Sequence, residues 1–375
     1  MDLNLSDEQQ QLVDSFGALY AKDSPPERVR AAEAAEPTGH DPELWLRLLE
    51  NGAVEMAVDE ASGGWGASLL DLALVAEQHG RYLGAAPLIE AQVAARLLGR
   101  LRGRLGPHSL AARLLEPTLS GGRLITLALR PPAGAVLDLV PAGAVADDVI
   151  FFDGSALRHL ALNELDELDE LDELDEPEAD RARRAVTTIG SLPLADIALP
   201  AASVTTTELA SGAEAAEAFE EAVNEWLILM AGALVGIGAR SLEIGVEYVK
   251  ERKAFGVPIG SFQAVSHGLA DAATALDGGT LLAREAAWSA EVEPARTPEL
   301  GPLAFGFCAE AAREASYRSL HYHGGYGFML EYDIQLYFRR ARGWPGQFAE
   351  PDVAFGIAAA RRLSARRAAA SDGEA

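Results

Sequence analysis

Apolar residues along this chain fall into three textures, helical at both ends and strand-like between. Near the N-terminus Leu12, Val13, Phe16 and Tyr20 recur at helical spacing behind Ser6-Asp7-Glu8-Gln9, where Ser6 as N-cap has Gln9 three residues on, the spacing of a capping box. Pro42 with Leu44, Trp45, Leu48 and Leu49 predicts a second amphipathic helix, ended near Asn51-Gly52. Val54 to Glu60 is too short for another and leads into the loop Ser62-Gly63-Gly64-Trp65-Gly66, after which Leu69 to Tyr82 and Pro87 to Leu98 read as two further helices. Residues 1–115 are therefore expected to form an α-helical domain.

The pattern then shortens. Arg123 to Leu129, Ala144 to Phe152 and Ala185 to Ile189 are partly β-branched runs separated by Gly, Pro and Asp, as strands are, so residues 116–205 are expected to form a small β domain. It is interrupted at 164–176 by a repeated Glu-Leu-Asp triplet whose leucines recur every three residues. That period drifts around an α-helix instead of making one stripe, and the dense like charge favours a solvated insertion over an acidic partner-binding helix. From residue 206 helical character returns and fills the C-terminal domain to residue 375. Ala213 to Glu251 is one long helix or two abutting ones, and Phe262 to Leu282, Pro302 to Leu320 and Pro351 to Ala368 supply three more. Gly232, Ala233, Gly236 and Gly238 let a neighbour approach closely, which suggests packing against other subunits or a flat ligand. The fold class is mostly α with a small β middle domain.

Composition narrows the function. At 375 residues and 49% hydrophobic the chain can bury a large core, while a net charge of −26 argues against a sequence-independent nucleic-acid surface. A single cysteine, Cys308, reads as a buried helical position and fits a reducing cytoplasm. The first residues lack the basic segment and apolar run of a signal peptide. Trp226 to Ala239 is the most apolar window and falls well short of the roughly 18 to 20 residues needed to cross a bilayer, so no membrane span is expected. A metal-binding ferritin-like bundle would need Glu-x-x-His pairs, and none of the seven histidines has a Glu three residues before it, so no metal is expected.

One stretch concentrates candidate chemistry. Lys250 to Gln263 places an arginine, an aromatic residue, a Gly-x-Pro turn and a glutamine within a dozen positions at the end of the small-residue helix, as a ligand-facing corner would. A second motif, His323-Gly324-Gly325-Tyr326-Gly327 with Glu331-Tyr332 and Arg339-Arg340-Ala341-Arg342, follows further on. Together with Trp45, Gly52, Glu60, Gly63-Gly64 and Gly66, these segments resemble the signatures of the acyl-CoA dehydrogenase family. The resemblance implies a helical N-terminal domain, a central β domain and a C-terminal four-helix bundle, assembled into tetramers. It implies FAD as cofactor, an acyl-CoA substrate losing its α-proton and β-hydride, and an electron-transfer flavoprotein as partner. By the same resemblance, Arg252 would pair with the cofactor diphosphate, often across a subunit boundary, and Phe255 and Gln263 would pack against and hydrogen-bond it. His321 stands where many members have Gln, and Gly324 and Gly325 would let the backbone approach the cofactor. Read from the residues alone, Arg252 could instead pair with Glu247 or Glu251, His321 could be structural, and Gly324-Gly325 could be only a tight turn.

The chain departs from the family pattern in two places. The usual base, six residues beyond the last basic residue of the R-x-A-[RK] motif, falls here on Phe348, with Glu350 two positions further. A minority of members place the base 26 residues before the arginine, which here is Trp226, with Glu225 adjacent but turned about 100° around the helix. Glu350 and Glu225 are thus the candidate catalytic carboxylates, each displaced from a family position. In the β domain, Leu129-Arg130-Pro131-Pro132-Ala133-Gly134 stands where the family carries a Thr-Glu-Pro and Gly-Ser-Asp loop against flavin and thioester. Some members, especially in actinobacteria degrading steroid side chains or related carboxylates, are built from two homologous subunits that share each flavin site. A homologous partner subunit is therefore expected, with a self-sufficient enzyme or a non-catalytic homologue as the alternatives.

Overall fold

The computed structural model describes residues 4–36, 39–163, 165, 182–199 and 206–372. Apart from Leu165, the acidic repeat lies outside the described residues. Helices occupy both ends of the chain and short strands the middle, and packing groups these segments into two compact units. One unit gathers residues 1–26, 68–84 and 227–375, and the other residues 27–67 and 85–226.

The first unit is helical. Asp7–Asp23 begins with the capping box foreseen at Ser6, whose hydroxyl accepts the Gln9 N–H while the Gln9 side chain returns to the Ser6 N–H. Leu69–Arg81 repeats the device with Ser68 and Asp71. Gly212–Glu251 is one unbroken helix that carries on from the second unit into the first, and Gln263–Val292, Thr297–His323, Ile334–Gly343 and Pro351–Asp372 follow it. An 18-residue window of the long helix has mean hydropathy 1.7, so by length and composition it could cross a membrane, contrary to the shorter window expected. Its apolar surface is used for packing instead, since 72% of that window is buried inside the protein.

The small residues of the long helix are used within the chain, a correction to the expectation of other subunits or a flat ligand. A Cβ on Gly236 would lie 1.9 Å from the Glu77 carbonyl oxygen, one on Gly232 2.7 Å from that of Ala73, and one on Gly80 1.8 Å from that of Ala233. These backbones touch because at each contact a glycine on one helix faces main-chain atoms of the other. Nearby, Tyr20 and His79 form a buried pair, hydroxyl to Nδ1 at 2.9 Å, with the Trp344 ring 5.7 Å from the imidazole. Burial pushes His79 down to about 4, so it is neutral in the fold.

The second unit holds the strands. One sheet has the order β1 (Ile125–Leu127), β3 (Asp148–Phe152), β4 (Ala156–Ala161), β7 (Thr207–Ser211), and the other the order β2 (Val136–Val140), β6 (Leu194–Ala198), β5 (Arg183–Val186). β1 and β3 are parallel and the remaining pairs antiparallel. Buried Asp148 pins three of these strands at one end, accepting two hydrogen bonds from Arg123 at 2.6 and 2.7 Å and one from His159 at 2.7 Å. The helices Pro26–Ala34, Pro42–Glu50, Leu88–Leu105 and Leu110–Leu119 belong to the same unit. Pro26–Ala34 and Leu110–Leu119 are additions to the predicted helices, as are β2, β4, β6 and β7 to the predicted strands. Leu110–Leu119 and β7 run past the domain limits expected at 115 and 205.

Candidate functional site

Three helix ends meet in the first unit. The long helix and Thr297–His323 lie parallel, as their close approaches advance together: a Cβ on Gly238 would meet Ala312 Cα at 3.2 Å, and one on Gly245 would meet Ser319 Cα at 3.1 Å, seven residues further on each helix. Their C-terminal ends therefore arrive at the same place, carrying Arg252 on one and Gly324-Gly325 on the other. Gln263–Val292 starts there too, because the Tyr322 hydroxyl donates to the Ala264 carbonyl at 3.3 Å. The corner anticipated around Arg252 thus brings Arg252, Gln263, His321 and Gly324-Gly325 to one end of the bundle.

The chain between Arg252 and Gln263 is a tight hairpin. β8 (Lys253–Ala254) and β9 (Val257–Pro258) are antiparallel, and Ala254 faces Val257 across the two-residue turn Phe255-Gly256. Both turn residues have positive φ, 54° and 84°, the left-handed backbone that such two-residue turns require. For a phenylalanine that conformation costs on the order of 1 kcal/mol. The ring gains nothing from the chain in return, for Phe255 is 97% exposed and touches only the edge of Phe262.

Arg252 is exposed and makes no ion pair or side-chain hydrogen bond with the described residues. Glu247, one of its expected rivals for pairing, lies 3.8 Å from Arg240 instead. Gly324 closes its helix with φ 61° and ψ −138°, and Cβ atoms built on Gly324 or Gly325 would find nothing within 4 Å. Close packing inside the chain therefore does not explain this glycine pair. His321 is exposed beside the rings of Tyr317 and Tyr322, each 5.9 Å away, and is not a buried structural histidine. Gln263 is exposed at the first position of a helix with no side-chain cap, whose leading N–H groups remain available. An unpaired guanidinium, open glycine backbone and an uncapped helix start together suit a diphosphate.

Tyr248 and His323 complete the corner; His323 opens the second motif but was given no role there, and no motif pointed to Tyr248. Their rings stack at 3.9 Å and 21°, and His323 Nδ1 donates to the Ser319 carbonyl at 2.7 Å. The available signal was positional, as Tyr248 lies one helical turn before Arg252 and His323 directly precedes Gly324.

The carboxylates expected to be catalytic behave otherwise. Glu225, in the second unit, is buried and accepts from Arg96 at 3.0 Å and Arg100 at 2.8 Å. Burial alone would raise its pKa, but the guanidiniums of Arg100 and then Arg96 outweigh that and hold it below the ordinary carboxylate range. This setting does not suit a base, because taking a proton would discharge the buried carboxylate that both Arg96 and Arg100 pair with. Trp226, at the minority base position, is 1% exposed and donates its indole N–H to buried Glu90 at 3.4 Å. In the first unit, Phe348 sits edge-on to Phe305 at 5.8 Å. Glu350 pairs with Arg313 at 2.7 Å while 64% exposed, and that hydrogen bond holds its carboxyl below the usual range. Both family base positions are therefore occupied by aromatic rings. In the reduced β loop, Ala133 bridges Val136 around Gly134 at φ 67°.

The chain is thus a sequence of helical, β and helical segments with an open corner between helix ends of the helical unit. Residues 6–122 match the family model for the acyl-CoA dehydrogenase N-terminal domain, and residues 216–345 match the one for its C-terminal domain. The chain belongs to the acyl-CoA dehydrogenase family. It is 32% identical to the acyl-CoA dehydrogenase IpdE2 of Mycolicibacterium smegmatis over 90% of this chain and 94% of that one. Among solved structures, one chain of the ChsE4-ChsE5 complex from Mycobacterium tuberculosis superposes with TM-score 0.78 at 24% identity, covering 99% of each chain. PigA, solved as its FAD complex, superposes with TM-score 0.76 at 20% identity, covering 98% of this chain and all of that one.

Proposed function

We propose that this chain is one subunit of a hetero-oligomeric, FAD-dependent acyl-CoA dehydrogenase, tetrameric and cytoplasmic, that gives its Arg252 corner to a flavin site completed by a homologous partner subunit. The observation that carries this is a division within the chain. Arg252 and Gly324-Gly325 stand open to a ligand, while both positions where the family keeps its base hold the rings of Trp226 and Phe348. The two-subunit ChsE4-ChsE5 complex among its structural relatives, and the FAD held by PigA, support the same reading.

In this assignment Arg252 supplies a planar pair of N–H donors to the diphosphate, Gly324 and Gly325 admit the cofactor to backbone distance, and Phe255 packs against it. Gln263 and His321 donate hydrogen bonds. When bound, the flavin accepts the hydride from the β-carbon of an acyl-CoA thioester. The α-proton goes to a carboxylate that the partner supplies, and an electron-transfer flavoprotein takes the electrons onward.

Co-expression with the homologous partner tests this. The expected result is a yellow complex whose flavin bleaches with acyl-CoA, while the chain alone retains little FAD. In that complex, Arg252→Ala should weaken FAD binding on the order of 100-fold, the loss of a charge-assisted bidentate contact. A fully flavinated, active homotetramer of this chain alone would overturn it. A second reading, a self-sufficient enzyme using Glu350, is favoured by that residue's exposure and ionised state. It requires flavin bleaching by this chain alone that Glu350→Gln removes.

A further inference from the structure

We propose that Tyr248 and His323 form a latch that fixes the spacing between the two halves of the corner, making both of them positioning residues for the cofactor diphosphate. The inference rests on the FAD reading of that corner. The long helix and Thr297–His323 run in contact through Gly238 and Ala312 and then Gly245 and Ser319, where the facing side chains are no larger than those of alanine and serine. One turn beyond Gly245 this small-residue seam ends, and the two helices meet through rings for the first time at Tyr248 and His323. One turn further the chains part into Arg252 on one side and Gly324-Gly325 on the other. The distance between guanidinium and glycine backbone is thus set by the thickness of one ring stack.

The stack is itself held in place. The Ser319 carbonyl can only accept, so His323 Nδ1 carries the proton that bonds to it at 2.7 Å, which fixes the imidazole plane. The Tyr332 ring stands edge-on to the same imidazole at 6.1 Å. Gly324 has φ 61°, and Gly325 follows with open space around it, so the segment is anchored only from Tyr326 and Gly327 onward and the two glycines themselves have no side-chain packing to hold them opposite Arg252. Without the stack, the binding of a diphosphate would have to be preceded by ordering of the glycine segment, which lowers affinity without removing any ligand contact.

The test uses the co-expressed complex and FAD itself. Tyr248→Leu and His323→Leu lose the stack, while Tyr248→Phe keeps both rings and the His323–Ser319 hydrogen bond. Each Leu variant should raise the FAD dissociation constant roughly tenfold, and the double Leu variant should be little worse than either, since both remove one shared interaction. Tyr248→Phe should restore near-native affinity. Amide hydrogen exchange at residues 324–327 should quicken in the Leu variants with the melting temperature little changed. If the Leu variants bind FAD like the native chain while Arg252→Ala loses it, the latch is wrong and the FAD corner stands. If Arg252→Ala also binds FAD normally, the corner reading fails and the latch fails with it. Should the Leu variants fold poorly, Tyr248→Phe with tenfold weaker FAD binding would equally overturn the proposal.

Discussion

Two glycine-rich regions of this chain look alike in sequence and differ in what surrounds them. At Gly232, Gly236 and Gly80 a Cβ would lie within 2.7 Å of a carbonyl oxygen of the chain itself, so these glycines exist to let two helices touch. At Gly324 and Gly325 a Cβ would meet nothing within 4 Å. The first region is satisfied by folding; in the second, Gly324 uses its positive φ to close a helix, while the open space beside Gly325 is not used by folding. The charged groups divide the same way: Glu225 is enclosed by two arginines, whereas Arg252 has no partner among the described residues.

The sharpest way to break this comparison is Gly236→Ala. A methyl group 1.9 Å from the Glu77 carbonyl oxygen cannot be accommodated by a side-chain rotation, so the helices must separate. A loss of about 3 kcal/mol or more is expected, read as a large fall in denaturation midpoint or failure to purify folded. Glu225→Ala should cost about 3 to 5 kcal/mol, because Arg96 and Arg100 lose their shared carboxylate. An unchanged denaturation midpoint would mean that the buried cluster contributes nothing.

The enclosed region also carries a pH dependence. His79 is neutral in the fold with its pKa pushed down to about 4, so the unfolded chain binds the proton more readily. The contribution to stability is complete above pH 6.5 and shrinks as pH falls toward 4, by about 3 kcal/mol in total. Urea titrations across that range should show this slope in the native chain and lose it in His79→Phe.

Effects at the open region should be smaller and of another kind. Gly325→Ala should leave the melting temperature within about a degree, since nothing surrounds the new methyl group, and should weaken FAD binding roughly tenfold in the complex with the partner subunit. A stability loss with normal FAD binding would erase the distinction between the two glycine regions. Smallest of all, Glu350→Gln removes an exposed ion pair and should change stability by less than about 0.5 kcal/mol. In the complex it should leave acyl-CoA-dependent bleaching intact, and a large loss there would favour the self-sufficient enzyme.

Much of this was legible before folding was considered. The capping box at Ser6, the amphipathic spacing of the N-terminal helices and the Arg252 and Gly324-Gly325 motifs depend on neighbours within a turn or two, where sequence order and spatial order coincide. Strands β2, β4, β6 and β7 were not legible, because Val136–Val140 or Ala156–Ala161 become strands through partners elsewhere in the chain and show little alternation of their own. The same limit hid the stack of Tyr248 on His323, whose contact joins residues far apart in sequence. It also misdirected Glu225, since nothing near it in the chain announces Arg96 and Arg100.

By itself, then, the sequence determined the family, the order of helical, β and helical segments, and the residues that form the corner, all carried by local motifs. Only the tertiary structure decided that Gly236 packs against Glu77 within the chain, that Glu225 is paired with Arg96 and Arg100, and that Arg252 makes no ion pair among the described residues. Each of these depends on which distant atoms come within a few ångströms, and one-dimensional spacing does not encode that.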